Sequence, residues 1–179
     1  MKIISGGQQG ADRAALEAAL LLGLETGGWA PKRFMTSNGS DPRLGTVFHL
    51  QELELSHIPL SRQFAIRSCK NVDMAEATIA FRLVPSVGTD KTIGYAQTKQ
   101  WISGDMHVDW KRCLHRPCLI ISSVSDHPLQ ASRIRCFLQE TRATIVNVAG
   151  HRDSTPTFFE DVKTILVLAL QKEFENGKE

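Results

Sequence analysis

The sequence has few of the features that mark secreted, membrane-spanning or nucleic-acid-binding proteins. Its 179 residues include four cysteines at irregular spacing, which disfavours a disulfide framework and indicates reduced thiols. No hydrophobic run approaches the roughly 18 residues that a membrane span needs. The formal charge of +2 is too small to indicate nucleic acid, although it does not oppose an anionic small ligand. A strand-like segment begins at once, so we expect no secretory signal and a cytoplasmic location.

The rest of the composition is ordinary for a globular domain. Hydrophobic residues make up 42% of the chain and charged residues 22%. A chain of this length can bury roughly 70% of its unfolded surface. We find no internal repeat and no linker. We therefore expect a single ligand-binding domain over residues 1–179, in which the polar stretches 36–61 and 102–116 are irregular insertions.

Five short apolar segments alternate with amphipathic helical patterns along the chain. This alternation predicts an α/β fold: a three-layer, Rossmann-like, doubly wound parallel sheet of about five or more strands, with helices on both faces. The predicted strands lie at residues 3–4, 24–29, 77–81, 118–121 and 144–148. The predicted helices lie at residues 12–22, 62–75, 89–101, 129–140 and 158–174.

A glycine-rich turn separates the first strand from the first helix. Gly6, Gly7 and Gly10 lack the Cβ atoms that would hold a ligand off the backbone. The helix that follows directs unpaired N–H groups and its positive dipole end at the turn. The spacing matches neither the dinucleotide fingerprint nor a Walker A loop. A phosphate, carboxylate or oxyanion would fit here; a tight turn whose glycines serve only packing is the alternative.

Three further loops should lie beside this turn. Right-handed crossovers place every strand-to-helix connection at one edge of a parallel sheet, so residues 6–12, 28–33, 84–92 and 147–154 should meet there. Gly88 and Thr89 begin a helix and form a second candidate anion site, in which Thr89 alternatively serves as an N-cap. Arg13 could reach a phosphate or be a solvated charge. The predicted ligand-binding residues are Gly6, Gly7, Gln8, Gly10, Arg13, Lys32, Gly88, Thr89, Thr92, Asn147 and Arg152.

Evidence for catalysis or metal binding in the sequence is sparse. Asp12 and Asp90 are the candidate acids or bases, although Asp12 is placed where a helix cap is expected. Cys113, His115 and Cys118 have the spacing C-x-H-x2-C without a second cluster, so we predict no metal site. No Ser-His-Asp or Cys-His arrangement stands out.

Several blocks resemble the molybdenum cofactor carrier family, which belongs to a Rossmann-like superfamily with the DNA-processing proteins and the lonely-guy phosphoribohydrolases. Residues 4–15 (I-S-G-G-Q-Q-G-A-D-R-A-A) are similar to the family pattern I-S-G-G-Q-T-G-V-D-R-A-A, from which Gln9 and Ala11 depart. Further matching blocks are Gly27-Gly28-Trp29 with Pro31-Lys32, Asn71-Val72 before Ala77-Thr78, Gly88-Thr89 with Thr92, and Asn147-Val148-Ala149-Gly150 with Arg152.

The resemblance implies a phosphorylated ligand, either a nucleotide derivative or a molybdopterin-type cofactor, and a carrier function. It also implies pairing into homo-oligomers through helices. The phosphoribohydrolases carry P-G-G-x-G-T-x-x-E, whereas Thr92 stands here in place of the glutamate. Without that carboxylate the resemblance favours binding over turnover. A nucleoside-phosphate hydrolase or transferase, and an interaction scaffold with a vestigial pocket, are the alternative functions.

Overall fold

The computed structural model describes residues 1–55, 57–98, 116–152 and 155–171. In chain order the elements are β1 (Lys2–Ile4), α1 (Ala11–Leu21), β2 (Glu25–Gly27), β3 (Trp29–Ala30), a 3₁₀ helix (Lys32–Phe34), β4 (Met35–Thr36), β5 (Gly39–Ser40), α2 (Arg43–Thr46), β6 (Gln51–Glu52), α3 (Leu60–Met74), β7 (Ala77–Phe81), α4 (Val87–Thr98), β8 (Cys118–Ile121), α5 (His127–Thr141), β9 (Ile145–Gly150) and α6 (Phe158–Leu170).

The main sheet contains five parallel strands in the order β2-β1-β9-β7-β8. The last strand of the chain therefore lies between the first strand and β7. Ile4 pairs with Gly27 on one side and with Asn147 on the other. Counted from β9 through β1, β2, β7 and β8, the order becomes the 3-2-1-4-5 of the Rossmann fold. The chain is thus a circular permutation of that order, and its switch point lies between β9 and β7.

Helices cover both faces of this sheet, as the predicted fold class requires. Helices α1, α5 and α6 pack together on one face, and α3 packs with α4 on the other. Alanines along α1 are completely buried, which lets the helix approach the sheet and α6 closely. Every residue of β7 is buried, as expected of a central strand in a parallel sheet.

The predicted strand at residues 24–29 is divided at Gly28. Gly28 has φ +123°, and a Cβ added there would lie 2.2 Å from the carbonyl oxygen of Ser5. Only glycine can turn the backbone this closely past the first strand. The chain therefore leaves the main sheet, and Trp29–Ala30 pairs with Gln51–Glu52 in a separate two-stranded sheet.

Residues 31–55, which we call the cap segment, fold into short elements where the sequence predicted an irregular stretch from residue 36. They include a small hairpin of β4 and β5 and the single turn of α2. Leu44, Phe48 and Leu50 are buried in a cluster of their own with Leu16 of α1 and Ala30. The cap segment is thus fastened to the first helix by a second, smaller core.

Several predictions lie outside the described residues. They are the helical residues 99–101, the insertion at 102–115, the Cys113 and His115 pattern, and the helical residues 172–174. Within the described ranges, no helix is both long enough and apolar enough to cross a membrane.

Candidate ligand-binding cleft

A cleft of about 650 Å³ lies beyond the carboxyl ends of β9 and β7. This position is the switch point, where ligands bind in open α/β sheets. One wall is the end of β9 with the turn that follows it, and a second is the start of α4 with the turn before it. The third wall is one side of α3, and Gln8 of the glycine-rich turn and Asp12 of α1 also line the cleft.

The wall formed by α4 offers backbone N–H groups to the cleft. Gly88 and Thr89 line the cleft in the first turn of this helix, where N–H groups lack intrahelical partners and the helix dipole is positive, and Thr92 lines it from the next turn. A Cβ added to Gly88 would meet no atom within 4 Å. Neither packing nor backbone conformation therefore requires a glycine here. Its effect is to leave the helix start open to the cleft.

Arg67 of α3 reaches across the glycine-rich turn and lines the cleft. A Cβ added to Gly6 would lie 1.2 Å from the Nη1 atom of Arg67, so the guanidinium packs directly against the Gly6 backbone. Nη1 donates to a carboxylate oxygen of Asp12 at 3.0 Å, whereas the buried Nε has no partner in the structure. Sequence analysis missed Arg67. The available signal was that α3 has few apolar residues, so part of its inner face had to meet something polar.

Asp12 is buried at the edge of the cleft and accepts hydrogen bonds from Arg67 and, at 3.4 Å, from the backbone N–H of Gln8. Burial raises the pKa of Asp12, and the neighbouring Arg67 guanidinium acts in the opposite direction. The other candidate acid, Asp90, does not line the cleft. Asp90 pairs with Arg82, and the hydrogen bonds from that guanidinium lower its pKa.

The glycine-rich turn itself is occupied by other parts of the chain. A Cβ on Gly7 would lie 2.4 Å from a methyl group of Leu44, and one on Gly10 would lie 2.4 Å from the carbonyl oxygen of His151. That same carbonyl accepts the N–H of Ala11 at 3.1 Å, which removes a first-turn donor of α1. Gly6, Gly7 and Gly10 do not line the cleft. Their placement agrees with the alternative interpretation, in which these glycines allow close packing of neighbouring atoms.

Two predicted cations also lie away from the cleft. The Arg13 guanidinium pairs with Asp41 of the cap segment and lies 4.9 Å from the centre of the Phe48 ring. Lys32 donates its backbone N–H to Gln63 of α3 at 2.8 Å, and its side chain does not line the cleft. The expectation that residues 28–33 would form a wall is not met, because α3 stands in that place.

Six predicted residues do line the cleft. Gln8 also holds the cap segment, because its side-chain amide donates to the carbonyl of Met35 and accepts the N–H of Ser37. Asn147 is almost completely buried, with its amide 3.4 Å from the hydroxyl of Thr78. The six are Gln8, Gly88, Thr89, Thr92, Asn147 and Arg152.

His151 is a second lining residue that sequence analysis did not select. The residue is only 6% exposed, and its Nε2 accepts the backbone N–H of Val84 at 3.1 Å. Burial lowers the pKa of His151. The side chain therefore joins the turn after β9 to the turn before α4.

The charged groups of the cleft favour an anion. Among the described residues that line it, Arg67, Lys91 and Arg152 are cationic and Asp12 is the one carboxylate, which leaves a net positive lining. Among the residues that the structure describes, no three His, Cys, Asp or Glu side chains come together in a way that could hold a metal ion. The donors present suit a phosphate or similar oxyanion, bound by N–H groups, hydroxyls and guanidinium.

Comparison with known proteins agrees with the permuted strand order. The model of the circularly permutated YpsA SLOG family matches residues 3–170. The chain belongs to that family. The family's description as circularly permutated corresponds to the strand order observed here, in which β9 occupies the place of the first Rossmann strand.

A solved structure is similar over nearly the whole chain. It is the 1.45 Å crystal structure of a protein proposed as a molybdenum carrier, from Syntrophus aciditrophicus SB. It is 28% identical, has a TM-score of 0.74, and is matched over 94% of each chain. Together with the family match, it confirms the resemblance stated from the sequence blocks. The chain matches no protein in the comparison with curated proteins.

Proposed function

We propose that the protein binds a phosphorylated small molecule in the switch-point cleft, with the phosphate at the start of α4. The observation that carries the proposal is Gly88: it lines the cleft in helical backbone geometry, and no neighbour would be displaced by a side chain. A ligand that approaches the first-turn N–H groups closely gives this glycine a purpose.

The remaining lining indicates the class of ligand. Arg67 is a largely shielded cation, with its side chain 11% exposed, and it is paired with Asp12. At the rim, Phe64, Pro85 and Val87 are apolar, and Val87 is 73% exposed. A polar interior with an apolar rim suits a phosphate attached to a planar heterocycle. A nucleotide derivative or a molybdopterin-type cofactor has that chemistry, and a carrier role would agree with the description of the similar solved structure.

A hydrolase or transferase of nucleoside phosphates is a second candidate function, because one observation favours it. Asp12 lines the cleft and burial raises its pKa, which suits a general acid. Thr92, however, lines the cleft at the position where the phosphoribohydrolase motif has its glutamate. We therefore favour binding. The volume of the cleft argues against the scaffold with a vestigial pocket.

The first test compares two nearly isosteric substitutions of Gly88. Gly88→Asp adds a negative charge beside the proposed anion, whereas Gly88→Asn adds similar volume without charge. An aspartate in the first turn interacts favourably with the helix dipole and stabilises the helix by about 0.3–1 kcal/mol, so we expect the variant to fold. A like charge a few ångströms from the anion should weaken binding about tenfold or more. Sulfate and AMP are the probes, measured by isothermal titration calorimetry.

The contrast between the two variants decides the outcome. We expect sulfate and AMP to bind the asparagine variant clearly more tightly than the aspartate variant. Equal affinities in both variants would show that the anion does not bind at the start of α4. Product formation from AMP that disappears in Asp12→Asn would instead support the enzymatic alternative.

A further inference from the structure

His151 connects two walls of the cleft that are far apart in the sequence. Its backbone N–H donates to the carbonyl of Phe81 at the end of β7, and its carbonyl accepts from Ala11 at the start of α1. Its side chain accepts the N–H of Val84 at 3.1 Å. Val84 begins the turn that leads into α4, so the ring holds the segment that carries the proposed anion site.

The hydrogen bond defines the protonation state of the ring. An Nε2 atom that accepts a hydrogen bond carries no proton, so the neutral ring has its proton on Nδ1. The charged groups that act on the ring are Asp90 of α4 and Arg82 at the end of β7, which oppose one another. From α6 the ring meets the apolar ring of Phe158, with centroids 6.3 Å apart. Burial lowers the pKa of His151, which keeps the acceptor available at neutral pH.

We propose that neutral His151 is a positioning residue for the anion site, and that its protonation releases the turn before α4 and weakens anion binding. This inference rests on the proposed function of the cleft. A proton on Nε2 would place two N–H donors against each other and leave the Val84 N–H without its acceptor. The turn would then shift, and the first-turn N–H groups of α4 would shift with it.

The direction of the pH effect separates this proposal from simple charge attraction. An imidazolium beside the cleft would by itself attract an anion, so binding would strengthen as the pH falls. Release of the turn has the opposite sign, and binding weakens as the pH falls through the pKa of His151. Sulfate is the appropriate probe, because it keeps its charge between pH 5.5 and pH 8, whereas phosphate does not.

The experiment compares the unaltered protein with His151→Gln and His151→Leu at pH 8 and pH 5.5. The glutamine amide oxygen can reach the position of Nε2 and accept the Val84 N–H, but it does not titrate. Leucine has no acceptor. We expect sulfate to bind the unaltered protein more weakly at pH 5.5 than at pH 8, in proportion to the fraction of His151 that is protonated at the lower pH, as measured from its ring NMR shifts. The ratio of the two affinities should be close to one in the glutamine variant, and binding should be weak at both pH values in the leucine variant.

Two results would overturn the proposal: sulfate binding that is equal or tighter at pH 5.5 in the unaltered protein, or the same loss in His151→Gln. Exchange of the Val84 amide with solvent, followed by NMR without sulfate, tests the turn separately. Its protection factor, which corrects for the slower intrinsic exchange at lower pH, should fall as His151 becomes protonated in the unaltered protein, and not in the glutamine variant. An unchanged protection factor contradicts the role of His151 alone, whereas a failure to bind sulfate or AMP at either pH contradicts the function of the cleft.

Discussion

Two arginines with little exposure flank the start of α1, and each is paired with an aspartate. Arg67 comes from α3 and pairs with Asp12 beside the cleft, whereas Arg13 of α1 pairs with Asp41 of the cap segment. Both side chains keep a buried Nε atom without a partner. Their chemistry is therefore similar, but only Arg67 lines the cleft. We assign anion binding to Arg67 and attachment of the cap segment to Arg13.

The two assignments predict different losses. The double variant Asp12→Asn/Arg67→Gln removes both charges of a buried pair, so it avoids the 3–5 kcal/mol or so that one unpaired buried charge would cost. It should fold and bind sulfate about tenfold or more weakly. Arg13→Gln is the matched control: it should lower the free energy of unfolding by about 1–3 kcal/mol and leave sulfate affinity within a factor of two.

Calorimetry with sulfate and urea unfolding measure the two effects separately. Loss of sulfate binding in Arg13→Gln, with binding retained in the double variant, would reverse the assignment. That result would support the prediction from sequence that Arg13 binds the phosphate.

Residue types alone could not distinguish these two arginines. Arg13 directly follows the aspartate of the glycine-rich block, so its proximity along the chain made it a candidate. Arg67 is 55 residues from its partner Asp12, and only the docking of α3 brings the two together. Gly88, Thr89 and Thr92 could be predicted, because a helix start after a parallel strand faces the ligand edge by geometry.

At the scale of elements, the glycine-rich turn and the cap segment form one unit. Gly7 receives Leu44 of α2, and the side chain of Gln8 holds the hairpin of β4 and β5. Leu44 is fully buried beside Phe48. The glycine-rich turn thus packs against two other parts of the chain. Gly6 contacts the Arg67 side chain, and Gly7 contacts Leu44 of the cap segment.

A double-mutant cycle tests this packing. Leu44→Ala should lower the free energy of unfolding by about 2–5 kcal/mol. Gly7→Ala should also be destabilising, because φ is +69° and the new Cβ would lie 2.4 Å from the Leu44 side chain. In the combined variant the steric part should disappear, so the total loss should be smaller than the sum by about 0.5–3 kcal/mol.

Urea unfolding of the four proteins gives the coupling energy. Strict additivity would mean that Gly7 and Leu44 do not share this contact in solution. The backbone strain of the alanine in Gly7→Ala should remain in the combined variant, since it comes from the positive φ and does not depend on Leu44.

The short elements of the cap segment are the part of the fold that local sequence patterns could not predict. They consist of two-residue strands and a four-residue helix, too short to show a hydrophobic period. Most of the longer elements could be predicted, because they carry a full apolar face, although α3 has few apolar residues. Helix boundaries agree to within about two residues for α3 and α5, where burial on the sheet sets the pattern.

For the whole molecule, strand order determines where the site lies. Apolar periodicity predicts that five strands form a parallel sheet, but it does not say which strands are neighbours. The insertion of β9 between β1 and β7 comes from tertiary packing, and it moves the switch point to the turns after β9 and β7. Because of this arrangement, Asn147, His151 and α4 line the cleft, whereas the three glycines of the glycine-rich turn do not.

Anion binding at the start of α4 beside Arg67, and not on the glycine-rich turn, is the core of the proposed function. Titration of ¹⁵N-labelled protein with sulfate, followed by the backbone amide resonances, tests it most directly. We predict saturable shifts that are largest at Gly88 and Thr89, with smaller effects at Gly6, Gly7 and Gly10. Shifts centred on Gly6 to Gly10 with Gly88 unaffected, or no saturable shifts at all, would contradict the account.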